Sequence, residues 1–253
     1  MWVGAVSAHP QYNQPMRWWV LGLVAACGCD QVFGLTRPDA APITGLVAWY
    51  PMDEVVAGAL ADMENHHDAT CFTPTCAHST PGVIGNSIVF DGTQAFTVSA
   101  PELSTPAGFT VTMWFAIDAM SLDFVECPAN KRLGPTDADS WQACLVQDIG
   151  QIPTFYSGPA GLGDTLSDRN DEVDLGTWHH LAIRWDGFVK TIVLDGVLRA
   201  SAPSQIGFDG GALLIGADID NGAITGGMIG RLDELRIYDH PLDYAQIATL
   251  AMP

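Results

Sequence analysis

The sequence predicts an all-β fold of antiparallel strands, a sandwich or a barrel, and three observations carry that prediction. In residues 176–200, His179, Leu181, Ile183 and Trp185 alternate with polar or small neighbours, as a strand with one buried face does. Asp186-Gly187 and Asp195-Gly196 follow, and an Asp-Gly pair supplies the positive φ angles of a two-residue hairpin turn, so the stretch reads as three consecutive antiparallel strands. In residues 109–117, Phe109, Val111, Met113, Phe115 and Ile117 alternate with Thr110, Thr112, Trp114 and Ala116. Shorter strand candidates at 86–92, 95–99, 144–149, 153–157 and 212–216 are separated by glycine and proline clusters, which argues against βαβ units.

Trp178-His179-His180-Leu181-Ala182, followed by Trp185-Asp186-Gly187 and Leu194-Asp195-Gly196, resembles the signature of the laminin G-like domains, within the larger concanavalin A-like lectin and glucanase group. The resemblance implies a two-sheet antiparallel jelly-roll sandwich. It implies no single function, because the group holds adhesion modules, sugar-binding modules and glycosidases on one scaffold. Residues 45–54 resemble the family's opening strand, with Pro51 at a sheet edge or ending the ladder, and residues 227–238 resemble its closing strand. Sandwiches of this type set those two strands side by side, which makes residues 43–253 one closed domain. A short helix is expected at its end: Asp243 is an N-cap with Gln246 three residues on, Ile247 staples to Leu242, and the helix runs to about Leu250.

The chain's 253 residues, 48% of them hydrophobic, suffice for one large β domain with a substantial core. Its 29 acidic against 10 basic residues give a net charge of −19, which repels polyanions and excludes a nucleic-acid partner. Residues 1–27 read as a signal segment: Met16-Arg17 precedes an apolar run at 18–26, too short to span a bilayer, and Met16 is an alternative start. Val24-Ala25-Ala26-Cys27 resembles the bacterial lipobox, in which the cysteine is lipidated, so Cys27 is the expected anchor to the outer membrane or cell surface. An ordinary cleaved signal that loses Cys27 is the alternative. Residues 28–42, with Pro38 and Pro42 and no periodicity, read as a flexible tether.

Four further cysteines, Cys71, Cys76, Cys127 and Cys144, suit two bridges in an oxidising compartment, and no zinc-ligand pattern accompanies them. Four cysteines allow three connectivities. Proximity and loop closure favour Cys71–Cys76, with Pro74 turning the chain between them, and Cys127–Cys144 around a polar insertion at 128–143.

The motifs of catalysis are mostly absent. A laminarinase-type hydrolase on this scaffold would carry Glu-x-Asp-x-x-Glu, whose period of two points three carboxylates into one cleft. The nearest run is Glu172-Val-Asp174, with Thr177 where the second glutamate belongs. His179 and His180 are neighbours on a strand, point to opposite faces and cannot chelate one ion together. Asp62 to Ala69 stands where the family has a glycine- and asparagine-rich turn, and reads as a solvated turn or a binding loop. The resemblance implies a structural calcium where the first and last strands meet, with Asp233 at the matching position and Asp53 as second carboxylate; the alternative is an exposed Asp233.

These observations predict a non-catalytic, surface-exposed binding module, carbohydrate-binding or adhesive, whose ligand is a glycan or a surface protein. It is expected to touch the membrane only through its lipid. Two alternatives stand beside it: a glycoside hydrolase with an atypical site, and a structural envelope protein that binds protein partners.

Overall fold

The computed structural model describes Met1 and residues 43–253 apart from 65–66, 100–106, 135–136, 149, 159–163 and 171. The chain divides into two units, Met1–Ala40 and Ala41–Pro253. The signal segment, the lipobox cysteine Cys27, the start at Met16 and the tether at 28–42 lie outside the described residues.

The second unit is all-β. Its opening strands are β1 (Leu46–Tyr50), β2 (Ala59–Leu60), β3 (Ala69–Cys71), β4 (His78–Pro81), β5 (Asn86–Asp91) and β6 (Phe96–Val98). Then come β7 (Phe109–Ile117), β8 (Val125–Arg132), β9 (Asp139–Gln147), β10 (Gln151–Ser157), β11 (Asp164–Ser167) and β12 (His179–Trp185). The chain ends with β13 (Val189–Leu194), β14 (Val197–Pro203), β15 (Leu213–Ile215), β16 (Asp218–Asp220), β17 (Ala223–Thr225), β18 (Ile229–Tyr238) and helix α1 (Tyr244–Leu250).

The strands form two large antiparallel sheets. The first runs β14-β13-β12-β7-β18-β5-β4, with β1 also paired to β18, and the second runs β11-β10-β9-β8-β15-β6-β3-β2. Their facing sides make the main core: Met113, Phe115, Leu181, Ile183 and Leu232 meet Phe96, Ala143, Leu145, Phe155 and Ile215. This is the sandwich the sequence predicts. The opening and closing strands pair from Leu46↔Tyr238 to Tyr50↔Leu235, and that pairing closes the domain.

The outer side of the first sheet is also covered. Leu242 and Ile247 pack with Ala182, Val193 and Tyr238, so α1 caps the sheet with its apolar stripe. Its N-terminus carries the expected capping box: Gln246 N donates to Asp243 Oδ1 at 2.8 Å, and Asp243 N donates to Gln246 Oε1 at 2.9 Å.

Three expectations need correction. Asp195 and Gly196 have φ of 52° and 74° and form the two-residue turn, but at the other hairpin only Gly187 turns positive. There Trp185 pairs with Lys190, and the Asp186 carboxylate accepts from the backbone N–H groups of Phe188 and Val189, giving a wider turn closed by a side chain. Residues 128–143 are no polar insertion; they lie in the paired strands β8 and β9 and the loop between them. Asp62 is buried, not solvated: its carboxylate accepts from the backbone N–H groups of Trp49, Glu64 and His67 at 2.8–3.1 Å. The disulfides close as Cys71–Cys76 and Cys127–Cys144, with Cα separations of 5.6 and 4.1 Å.

Candidate functional site

The second sheet builds its own concavity on the side away from the core. Trp141, Ala143 and Phe155 point inward, so strand alternation turns Gln142 and Tyr156 outward. Pairing aligns Asn130 with Gln142 and Gln142 with Tyr156, which makes one polar row across β8, β9 and β10. The β16–β17 hairpin lies over this row. Its turn is Asn221-Gly222, both with positive φ as the tight hairpin requires.

Side chains of the row hold the hairpin in place. Asn130 Nδ2 donates to Ala217 O at 3.0 Å, and Gln142 Nε2 donates to Asp218 Oδ2 at 2.8 Å and to Asp139 Oδ2 at 2.9 Å. Asn221 N donates to Asp137 Oδ1 at 2.9 Å, and Cys127 N donates to Gly226 O at 2.8 Å. Between hairpin and sheet is a concavity of about 410 Å³ whose polar lining is Asp123, Gln142, Tyr156, Asp218, Asp220 and Thr225.

Charge is concentrated at one wall. The Arg132 guanidinium lies 3.1 Å from Asp137 and 4.0 Å from both Asp139 and Asp218. One cation does not neutralise these carboxylates. Burial, with Asp218 beside it, pushes the Asp139 carboxyl up to about 8 against the pull of Arg132, and burial raises Asp218 as well. The lining therefore offers carboxylates, an amide, hydroxyls and one aromatic ring, with the Asp139 carboxyl behind it on Gln142. None of its residues belonged to a sequence motif, although Asp220-Asn-Gly222 is a hairpin signal that marks the turn above it.

The residues singled out in the sequence lie elsewhere. Asp233 and Asp53 meet at the turn 82–86 between β4 and β5. Asp233 Oδ2 accepts from Val83 N at 2.8 Å and Ile84 N at 3.0 Å, and Asp53 Oδ1 accepts from Asn86 N at 2.8 Å. Asp233 is fully buried, which removes the alternative of an exposed carboxylate, and its Oδ1 has no hydrogen-bond partner among the described residues. Burial raises its carboxyl to about 6, against the two amide donors, with Glu234 and Asp53 adding repulsion. An unpartnered buried carboxylate oxygen in the field of a second carboxylate is chemistry that suits a hard cation. Among the described residues, no group of three or more His, Cys, Asp or Glu side chains comes together to complete such a site.

The two histidines diverge as strand geometry demands. His179 stands against Phe115 with Nδ1 2.9 Å from Asp195 Oδ2, while His180 packs on Trp114 from the other face. Burial, partly offset by Asp195, lowers His180 to about 4, so it is a neutral packing residue.

Residues 90–248 match the family described as Concanavalin A-like lectin/glucanases superfamily. No curated protein sequence matches the chain. Among solved structures, the chain resembles domain 4 of AbnA, a GH43 extracellular arabinanase from Geobacillus stearothermophilus, in complex with arabinotriose. The TM-score is 0.66 at 19% identity, over 82% of this chain and 98% of that one. It also resembles the binding domain of Paraclostridial Mosquitocidal Protein 1, with TM-score 0.64 at 12% identity, over 82% of this chain and 52% of that one. Trypanosoma rangeli sialidase matches with TM-score 0.63 at 16% identity, over 83% of this chain but 33% of the sialidase. These identities speak for the fold. The family match spans well over half of the sequence, and the chain belongs to the concanavalin A-like lectin/glucanases superfamily.

Proposed function

We propose that the chain is a non-catalytic carbohydrate-binding module whose ligand sits in the concavity between the β16–β17 hairpin and the second sheet. The observation that carries this reading is the lining. Asp123, Gln142, Asp218, Asp220 and Thr225 offer convergent hydrogen-bonding groups beside the half-buried ring of Tyr156, and sugars present hydroxyls around an apolar ring face. The arabinotriose complex of AbnA domain 4 supports a glycan ligand. Titrating residues 43–253 against a glycan array that includes arabinan oligosaccharides tests the site. Tyr156→Ala and Asp220→Asn should each weaken binding at least tenfold without shifting the melting temperature. Variants that bind as the parent does, or a parent that binds no glycan, would sink the reading.

A glycosidase is the second reading, and one observation favours it. Gln142 Nε2 bonds both Asp139 and Asp218, which brings a carboxyl raised by burial next to a second one, the pair of groups that glycoside hydrolysis uses. Against it, Asp139 does not line the concavity, so the acid has no direct path to a glycosidic oxygen. Release of reducing ends in the same titrations would reverse the choice.

Two disulfides fit an exported protein. With them, the lipobox-like Val24-Ala-Ala-Cys27 supports lipid anchoring at Cys27 on the outer membrane or cell surface. Cys27→Ser should then move the protein from the membrane fraction to the soluble exported fraction, and unchanged partition would refute the anchor. Asp233, through its unpartnered Oδ1, and Asp53 would hold a structural calcium completed by backbone carbonyls, tying the closing strand to the β4–β5 turn.

A further inference from the structure

The loop between β7 and β8 breaks the rule that governs the rest of the sandwich. Within five residues it puts Met120, Leu122 and Phe124 into solvent, with Leu122 94% and Phe124 63% exposed. Leu175 extends the patch: Gly176 N donates to Ile117 O, and Arg231 bridges the Asp118 carboxylate and Gly176 O, so the 174–176 segment lies against the root of this loop. Single exposed apolar residues are ordinary; four grouped at one end of a domain mark an interaction surface.

The loop is held in this shape. Ser121 N donates to the buried Glu126 Oε1 at 2.8 Å, Ser121 Oγ donates to Val125 O at 3.0 Å, and Gln147 donates to both Phe124 O and Met120 Sδ at 2.9 Å. Phe124 has φ of 59°, a left-handed conformation that costs free energy for a bulky residue and that leaves the residue mostly in solvent here. A strained backbone that presents an aromatic ring to water has no use inside the fold.

Charge identifies the occupant. Exposed Asp118, Asp123, Asp148, Glu172 and Asp174 surround the patch, and its cations are committed, Arg231 to Asp118 and Arg169 to Asp148. A second copy would bring the same carboxylates on a chain of net charge −19, and an anionic lipid surface would be repelled likewise. We propose that the 118–124 loop, with Leu175 beside it, is a docking tip for a protein partner whose surface offers an apolar hollow rimmed by lysine or arginine.

The probe is an immobilised amphipathic peptide of leucine and lysine, run beside phosphatidylcholine vesicles and sedimentation of the full chain alone. Leu122→Ser and Phe124→Gly leave the net charge at −19, so general attraction of an acidic protein to a basic peptide cancels between parent and variant. The parent should bind the peptide, more weakly as salt rises, and each variant at least tenfold more weakly. Phe124→Gly should melt no lower than the parent, because glycine accepts the positive φ. The proposal is overturned if the variants bind the peptide as the parent does, or if Phe124→Gly melts lower, which would assign the ring to packing. It is equally overturned if the tip drives vesicle binding or self-association instead of peptide binding.

Discussion

Asp62 and Asp233 perform one task at two turns: each is a buried carboxylate whose desolvation is offset by backbone N–H donors of a loop that has no ladder of its own. They differ in what is left over. Both oxygens of Asp62 accept hydrogen bonds, whereas Asp233 keeps a buried Oδ1 without a partner and a carboxyl raised to about 6. If calcium fills that vacant coordination, chelation should lower the melting temperature of the parent, since a ligand at one hundred times its dissociation constant stabilises the folded state by about 2.7 kcal/mol. Asp233→Ala should melt low and ignore calcium. Asp233→Asn is the sharper variant, because its amide oxygen still accepts from Val83 and Ile84 while its charge is gone. It should lose the calcium response but keep the turn. If no ion binds, the chelator leaves the parent unchanged and Asp233→Asn melts higher at pH 8, having shed an unpaired buried charge. The sequence pointed to Asp233 through its place in the closing strand, but it did not show that the residue is buried or that a turn 150 residues away uses it.

At the level of elements, legibility followed the side-chain period. Strands β7 and β12 announce themselves because their inward positions are apolar; β8 does not, for two reasons. Lys131 occupies an inward position, fully buried, with its ammonium donating to the carbonyls of Asp209 and Gly211. The bulge between Glu126 and Ala129, which holds Pro128, shifts the alternation by a residue. Pro-Ala-Asn-Lys-Arg therefore reads as polar loop and folds as strand. Lys190 is the same device in β13, its ammonium held by Phe155 O, Ser157 Oγ and Asp164. Lys131 fastens the 209–211 loop to the core through its carbonyls, Lys190 ties β10 and β11 to β13, and burial lowers both from the ordinary lysine range. The concavity of the second sheet was invisible for a related reason. Its polar residues come from the β7–β8 loop, β9, β10 and the β16–β17 hairpin, and only the fold brings them together.

For the whole molecule, the sequence supplies the net charge of −19 but not which carboxyls the fold buries. Burial raises Glu126 to about 7 and Asp139 to about 8. A carboxyl whose folded pKa exceeds its unfolded value binds its proton more tightly in the folded state, so its contribution is lost as pH rises from the unfolded to the folded pKa. His180, lowered to about 4, acts in the opposite sense, because the unfolded state binds its proton more tightly, but only between about 4 and 6.5. Above pH 6.5 folded His180 is neutral and its unfolded form has only part of a proton left to release, a small opposing contribution, so the raised carboxyls set the sign. Self-repulsion among the exposed carboxylates adds no new titration in that range. Stability should therefore fall as pH rises from 6.5 to 8, by about 1–2 kcal/mol after allowing for residual solvent around Asp139. Urea unfolding of residues 43–253 in chelator, at half-unit pH steps, measures this slope. Asp139→Asn should flatten most of it, and Glu126→Gln the part below pH 7. A parent whose stability is level or rises across the window would mean that these carboxyls are solvated, and that the charged wall of the concavity is more open to water than its packing around Gln142 and Arg132 indicates.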